Sequence, residues 1–285
     1  MGFKFVEVRA TLRPVYSLIF ASTLLFCPPP CTGQDYATVS TPRFTLYIDQ
    51  KIIEETAESA RADSMVNVQS AIAEHSLAQL NQNFEELTRI FNLRPSKKVV
   101  LRFLSPTEFH NQTGAPGWTS AMFFKGEITV PIPTNTAVNL QQLGRALRHE
   151  YVHAVVAEFS GGKCPAWIDE GLAQLIEGKA NPVLGPALRS WMESDNPLPL
   201  NWLNDGFTTL EDALVPVAYA QSLFAAKTLI NSSGFGAMTK YLQYLNEGRS
   251  PEQAFFQAFG KSLSVFEDQL AQQLIRWSET EQVDP

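Results

Sequence analysis

Charge is scarce in this sequence. Asp, Glu, Lys and Arg make up 18% of the 285 residues, the formal balance is −7, and no basic cluster or stripe follows the first residues. Such a chain lacks the electrostatic footprint of a nucleic-acid binder, so no nucleic-acid partner is expected. Cysteine is scarcer still: Cys27, Cys31 and Cys164 are the whole supply. No internal repeat or low-complexity tract is present, which excludes solenoids and arrays. Histidine is also rare, with four in the chain. What the sequence does have is apolar material, 45% of its residues, enough for a large core.

The N-terminus reads as a leader. Lys4, Arg9 and Arg13 precede Val15–Phe26, an uncharged and mostly apolar run of 12 residues, and Cys27-Pro-Pro-Pro-Cys31-Thr-Gly follows. Basic, apolar and small-residue regions in that order are those of a secretory signal peptide. The apolar run is short beside the ~20 residues of a bilayer-spanning helix. We therefore expect residues 1–33 to be a cleaved signal peptide and the protein to be exported, periplasmic or extracellular, with no stable membrane insertion after cleavage. The alternative is an uncleaved anchor. Cleavage removes Cys27 and Cys31, so the mature chain keeps Cys164 alone and forms no intrachain disulfide.

Residues 34–42 are polar and are expected to be a flexible segment before a single domain at 43–280. Arg43–Asp49 alternates Phe44, Leu46 and Ile48 as a strand does. A helical pattern spans 57–92, clearest in Leu77, Leu80, Phe84, Leu87 and Phe91. Lys97–Ser105 is a short β-rich run, Ser105-Pro-Thr-Glu108 is a capping box, and Ser120–Pro133 reads as a hairpin turning at Lys125-Gly126. Asn139 caps a helix that Gly161-Gly162 stops, and Pro165 opens another ending near Gly178. The remainder is helical at 216–231, 235–247, 251–259 and 264–277, with Ser264 expected to cap the last. The class is α+β, a small mixed sheet followed by a helical C-terminal half.

Two of the four histidines lie four residues apart, in His149-Glu150-Tyr151-Val152-His153. On a helix they are neighbours, so both imidazoles can reach one ion. Leu143, Leu147 and Tyr151 fall on roughly the opposite face. Neutral imidazole and carboxylate are ordinary zinc ligands, and catalytic zinc takes three protein ligands. Glu150 lies beside the first of the pair, where it can take a proton from water that the metal activates. The His-Glu-x-x-His pattern is a metalloprotease signature with this division of labour. Asp169 and Glu170 follow at the start of the next helix and offer a third ligand. They point about 100° apart on a helix, so both cannot face the ion equally. His75 and His110 read as surface residues.

His149-Glu-x-x-His153 followed by Trp167-x-x-Glu170-Gly171-x-Ala173 resembles the gluzincin metallopeptidases, specifically the peptidase MA-like group. The resemblance runs from about Phe44 to Trp277. It implies a zincin-like fold, one Zn2+ per chain held by His149, His153 and Glu170, Glu150 as general base, and a peptide or protein substrate. The Trp-x-x-Glu-Gly register selects Glu170 over Asp169. It also implies Tyr219 as the donor that stabilises the oxyanion. In many gluzincins an acidic residue four positions after the ligand glutamate supports a metal histidine; here that position is Gln174. Gly236-Ala-Met238 superficially resembles the aminopeptidase exopeptidase motif but lacks its glutamate and follows the candidate site. The alternatives to a peptidase are a zinc-containing binding or accessory protein with a degenerate site, and a zinc amidase acting on a non-peptide or cell-wall amide. The sequence leaves the oligomeric state open.

Overall fold

Two rungs of apolar residues run across the sheet. Leu46 lies opposite Leu101, which lies opposite Ile128; Ile48, Phe103 and Val130 form the next rung. All six side chains are buried. Each buried aliphatic or aromatic side chain contributes about 1.5–3 kcal/mol relative to exposure, so these rungs dictate which face of the sheet turns inward. The strands are β1 (Tyr36–Ser40), β2 (Phe44–Asp49), β3 (Val99–Leu104), β4 (Met122–Phe124) and β5 (Glu127–Pro131), in the spatial order β1-β2-β3-β5-β4. β2, β3 and β5 are parallel, while β1 and β4 pair antiparallel at the two edges. The outer face carries Arg102 of β3, paired with Glu127 of β5 and lying over the Tyr47 ring.

The computed structural model describes residues 36–50, 52, 65–115, 119–133, 138–179, 181–207 and 210–280. These belong to one compact unit, Asp35–Pro285. The expected leader at 1–33 lies outside the described residues, as does the part of the expected long helix before residue 65. Eight helices follow the order α1 (Met65–Phe91), α2 (Pro106–Thr113), α3 (Leu140–Ser160), α4 (Ala166–Glu177), α5 (Leu184–Met192), α6 (Val215–Asn246), α7 (Pro251–Phe259) and α8 (Leu263–Ser278) among the described residues. The architecture is α+β, with a five-stranded mixed sheet and a helical C-terminal half.

Local chemistry accounts for most boundaries. Asn139 accepts from the Gln142 N–H to start α3, and Gly161, at φ 63°, closes it by donating to Ala157. The positive φ of Gly161 is a conformation that glycine takes without steric cost, which makes it the stop. Lys125 and Gly126 both take positive φ in the β4–β5 turn, as a two-residue hairpin requires. Ser105 and Ser250 cap α2 and α7 through their hydroxyls.

Four expectations are corrected. Tyr36–Ser40, read as part of a loose segment, is strand β1, registered along β2 from Tyr36 against Asp49 to Ser40 against Thr45. Pairing with β2 satisfies its backbone, and Ala37 and Val39 pack against the core. The helix α5 at Leu184–Met192 had no counterpart in the sequence reading. Ser262, not Ser264, caps α8, its hydroxyl accepting from the Val265 N–H. His75 is half-buried, with its Nε2 enclosed by protein near Gly144. The expected separate helices at 216–231 and 235–247 correspond to α6, which is interrupted at Gly234 by φ 73° and ψ 168°.

Helix α3 lies on the sheet through Tyr151, whose ring meets Phe44 edge-on at 5.7 Å. Its other flank meets α4, which in turn lies against α6. The last contact is unusually close: a Cβ on Gly171 would collide with the Ser222 carbonyl oxygen and lie 2.7 Å from the Ala226 Cβ. Trp167, one turn earlier, is buried and stacks on Phe266 of α8 with ring centroids 6.0 Å apart. Gly171→Ala is expected to destabilise the fold by about 1–3 kcal/mol, the usual cost of overpacking. The check is the thermal midpoint of the purified variant; a midpoint equal to that of the parent protein would mean α4 and α6 separate without cost.

Candidate metal centre

Helices α3 and α4 run antiparallel because only Gly161–Pro165 joins them. Antiparallel pairing opposes the C-terminal half of α3 to the length of α4. His153 therefore meets the start of α4 and His149 meets its end. The two imidazole rings lie 4.9 Å apart, nearly perpendicular. Their Nε2 atoms point to the same carboxylate oxygen: Glu170 Oε2 is 3.6 Å from His149 Nε2 and 3.8 Å from His153 Nε2. Among the described residues, His149, His153 and Glu170 form a group able to hold a metal ion, with one ligand atom from each within 4.8 Å of the others.

The donor set fits zinc, since two imidazoles and a carboxylate are its usual nitrogen and oxygen ligands. The separations from Glu170 Oε2 exceed hydrogen-bonding length, and that oxygen is buried with no hydrogen-bond partner. A buried carboxylate oxygen without a partner is costly, and a cation would satisfy it. The far side of each ring also meets a carboxylate. His149 Nδ1 donates to Glu177 Oε2 at 3.1 Å, and His153 Nδ1 lies 2.9 Å from Asp169 Oδ1. The hydrogen bond to Glu177 favours the proton on His149 Nδ1 and leaves the lone pair of its Nε2 for an ion.

The structure thus divides the adjacent carboxylates between two tasks. Asp169 faces the outer nitrogen of His153, while Glu170 faces the inner nitrogens of both rings. Gln174 supports neither histidine. Its Nε2 donates to the carbonyls of Glu170 and Tyr219, tying α4 to α6. The contacts of Glu177 and Asp169 were missed in sequence. Glu177 lies seven residues after Glu170, close to two full turns, and so shares its face. That spacing was the available signal.

Glu150 is buried, and one of its oxygens, Oε2, accepts the Phe123 N–H of edge strand β4 at 2.6 Å. The strand that touches Glu150 is thus the outer member of the β4–β5 hairpin. Burial lifts the Glu150 carboxyl above the usual range, aided by Glu170, while His153, His149 and the Phe123 N–H oppose the rise. Burial pulls the His149 and His153 imidazoles down, but the carboxylates around them outweigh it. Glu170 and Glu177 hold His149 well above its ordinary value, and Asp169 and Glu170 bring His153 up to about 9. Glu170 is pushed up by burial and brought below its ordinary value by His153 and His149. The cluster therefore favours positive charge, which a divalent cation would supply in place of protons.

Tyr219 borders the same cluster from α6. Its ring meets Phe207 edge-on at 4.9 Å. Burial raises its hydroxyl pKa, and the Glu170 and Glu150 carboxylates add to the rise, so it is a neutral donor at physiological pH. His110 is exposed, its Nδ1 bonded to the Ala115 carbonyl, and stands apart from the site. Cys164 is a free thiol that burial pushes well up, which removes the thiolate a nucleophile needs.

Residues 108–276 match a family model described as the Peptidase MA superfamily. No curated protein matches the chain. A solved structure of a mutant two-domain M1 zinc metallopeptidase bound to L-arginine superposes with a TM-score of 0.43 at 15% identity, covering 88% of this chain and 53% of that one. The present chain thus spans about half the length of that protein. Among the described residues, no helix is long and apolar enough to cross a membrane.

One ion pair outside the metal cluster holds the motif helix in place. Arg148 makes a two-pronged contact with Glu86 of α1, at 2.6 and 2.7 Å, and its Nε donates to the Ile176 carbonyl of α4 at 2.6 Å. The hydrogen bond from Arg148 keeps the Glu86 carboxyl below the ordinary glutamate range, although burial works against it. A group depressed in the folded state contributes stability above its unfolded pKa and loses it as pH falls through the folded one. Parent protein and Glu86→Gln should therefore differ in stability at neutral pH and converge in acid, below the ordinary glutamate range. Denaturant melts of both at a series of pH values check this; a difference that persists unchanged into acid would assign the effect to packing.

Proposed function

The chain belongs to the peptidase MA superfamily, and from that premise we propose that it is a zinc-dependent metallopeptidase that hydrolyses peptide bonds. The reading rests on one observation above the rest: two imidazole Nε2 atoms and a buried, unpartnered Glu170 oxygen converge within reach of one ion, with Glu150 beside them. His149, His153 and Glu170 would hold one Zn2+ per chain. When bound, the ion supplies Lewis acidity, which acidifies water and polarises a carbonyl oxygen.

The protein's own groups carry the proton and orient the substrate. Glu150 takes a proton from the attacking water and delivers it to the leaving amine. The Phe123 N–H holds one of its oxygens, which leaves the other for the proton. Tyr219 donates its hydroxyl proton in a hydrogen bond to the developing oxyanion. Gln174 bonds the carbonyls of both Glu170 and Tyr219, which ties the ligand on α4 to the donor on α6. Strand β4 is a sheet edge beside Glu150, and an extended peptide can add to such an edge through main-chain hydrogen bonds. A peptide or protein substrate met outside the cytoplasm agrees with the leader expected at residues 1–33.

The test begins with a peptide-library digest, with and without a chelator, to find a cleaved sequence. On that substrate Glu150→Gln should retain zinc and its fold while the rate falls ~10²–10⁴-fold, the usual worth of a general base. Hydrolysis by Glu150→Gln at the parent rate would sink the mechanism. Substituting Ala at His149, His153 or Glu170 should each lower zinc content measured by elemental analysis. Full zinc in Glu170→Ala together with loss in Asp169→Ala would reverse the choice of carboxylate. Tyr219→Phe should lower kcat by ~10²-fold, the order expected for one lost oxyanion donor, and leave zinc content intact. An unchanged kcat would return Tyr219 to a packing role.

A further inference from the structure

The Tyr219 hydroxyl sits at the far end of a long side chain, so a small turn about χ1 displaces it more than any other atom of the residue. Gln174 holds the Tyr219 carbonyl, which fixes the backbone and leaves the ring to other contacts. The described contact on that ring is Phe207, buried and edge-on, with centroids 4.9 Å apart and planes at 89°. Perpendicular contact at this range is a favoured geometry of an aromatic pair. Phe207 lies in the connection between α5 and α6, which contains a 3-10 turn at Leu200–Leu203. Three helices tie that connection down. Gln221 of α6 is buried and clasps Leu198 with both ends of its amide: Oε1 accepts the Leu198 N–H at 2.8 Å, and Nε2 donates to the Leu198 carbonyl at 2.6 Å. Glu267 of α8 accepts the Leu200 N–H at 2.7 Å. The Asn204 carbonyl accepts the N–H of Ala166, the first residue of α4, at 2.9 Å. Tyr219 and Gln221 lie on the same turn of α6, so one stretch of helix carries the donor and grips the segment that braces it.

We propose that Phe207 is the positioning residue of Tyr219, held against its ring by the Gln221 clasp on Leu198. This rests on the reading of Tyr219 as the oxyanion donor. A donor aimed before the reaction stabilises the developing charge without having to reorganise at that moment. The edge-on ring blocks the swing of Tyr219 toward it and narrows the range of the tyrosine χ angles. Phe207 has no polar side-chain atom and takes no part in proton transfer, so its effect on the reaction passes through Tyr219. Its apolar ring also keeps solvent from one side of the tyrosine, in keeping with a hydroxyl whose pKa is raised first of all by burial.

The experiment is a double-mutant cycle on the full chain with zinc bound, using a peptide found by the library digest. Phe207→Ala should lower kcat by roughly 10-fold, part of the ~10²-fold expected when an oxyanion donor is lost, with KM and zinc content at parent values. Phe207→Leu, which refills most of the space, should recover part of the loss. In a Tyr219→Phe background Phe207→Ala should have no further effect, because no hydroxyl remains to be placed. A second readout needs no turnover: by NMR of the metal-free protein with labelled tyrosine, the order parameter of the Tyr219 ring should fall in Phe207→Ala. If Phe207→Ala does not fold, Phe207→Leu takes its place in every comparison. Parent kcat in the Phe207 variants overturns the proposal, and so does an unchanged order parameter. An equal loss of kcat in both backgrounds also overturns it, since that would mark a structural role independent of the hydroxyl. Tyr219→Phe separates the two levels of inference. Its cleavage at the parent rate, or a parent protein that cleaves no peptide, would reject the donor reading and this proposal with it, whereas a slowed Tyr219→Phe beside an unslowed Phe207→Ala would reject the role of Phe207 alone.

Discussion

Glu170 reaches two histidines on another helix only because α4 is pressed between α3 and α6. The spacing has no slack at Gly171, where even one methyl group would strike the Ser222 carbonyl and the Ala226 side chain. Trp167 anchors the first turn of α4 in the core against Phe266, and Arg148 anchors the last turn through the Ile176 carbonyl. Between those anchors α4 is held at a fixed height along α3. A helix rises about 1.5 Å per residue, so a slip of one residue would carry Glu170 off the point where both Nε2 atoms converge. The Trp-x-x-Glu-Gly run thus contains a core anchor, a site carboxylate and a steric spacer in five residues.

The charges within this frame are balanced only as a group. Two imidazoles and four carboxylates, Glu150, Asp169, Glu170 and Glu177, share one half-buried space. Carboxylates crowded together in low dielectric repel one another, and positive charge placed among them relieves the repulsion. The histidines bear much of this, both raised despite burial. Such an arrangement is poorly suited to a neutral core and well suited to a dication. Burial raises the Glu150 carboxyl, with Glu170 adding to the rise and both histidines opposing it.

The sheet supplies the remaining constraint. Its strand β2 meets α3 through the Tyr151–Phe44 contact, and its edge strand β4 presents the Phe123 N–H to Glu150. The hairpin turn at Lys125-Gly126 is what places that edge beside α3, since a two-residue turn folds β4 back directly along β5. Sheet, motif helix and α4 therefore each contribute one face of the same site.

What was legible in the sequence is what short-range chemistry decides. The cap at Asn139, the stop at Gly161, the cap at Ser105 and the β4–β5 turn depend on bonds within a few residues, and a linear pattern carries them. The placement of His149 and His153 on one helical face is of the same kind, because the period of the helix alone makes them neighbours. The rest depends on distances between elements. The strand at Tyr36–Ser40 is secured by pairing with β2, and a run of five residues does not show by itself that a partner is there. His75 is half-buried because α3 comes close at Gly144. The division of labour between Asp169 and Glu170, the turning of Gln174 toward α6 and the arrival of Glu177 at His149 all follow from how α4 lies against α3 and α6. Helical period brings the histidines together, but only the packing of one helix on another determines which carboxylate meets which nitrogen.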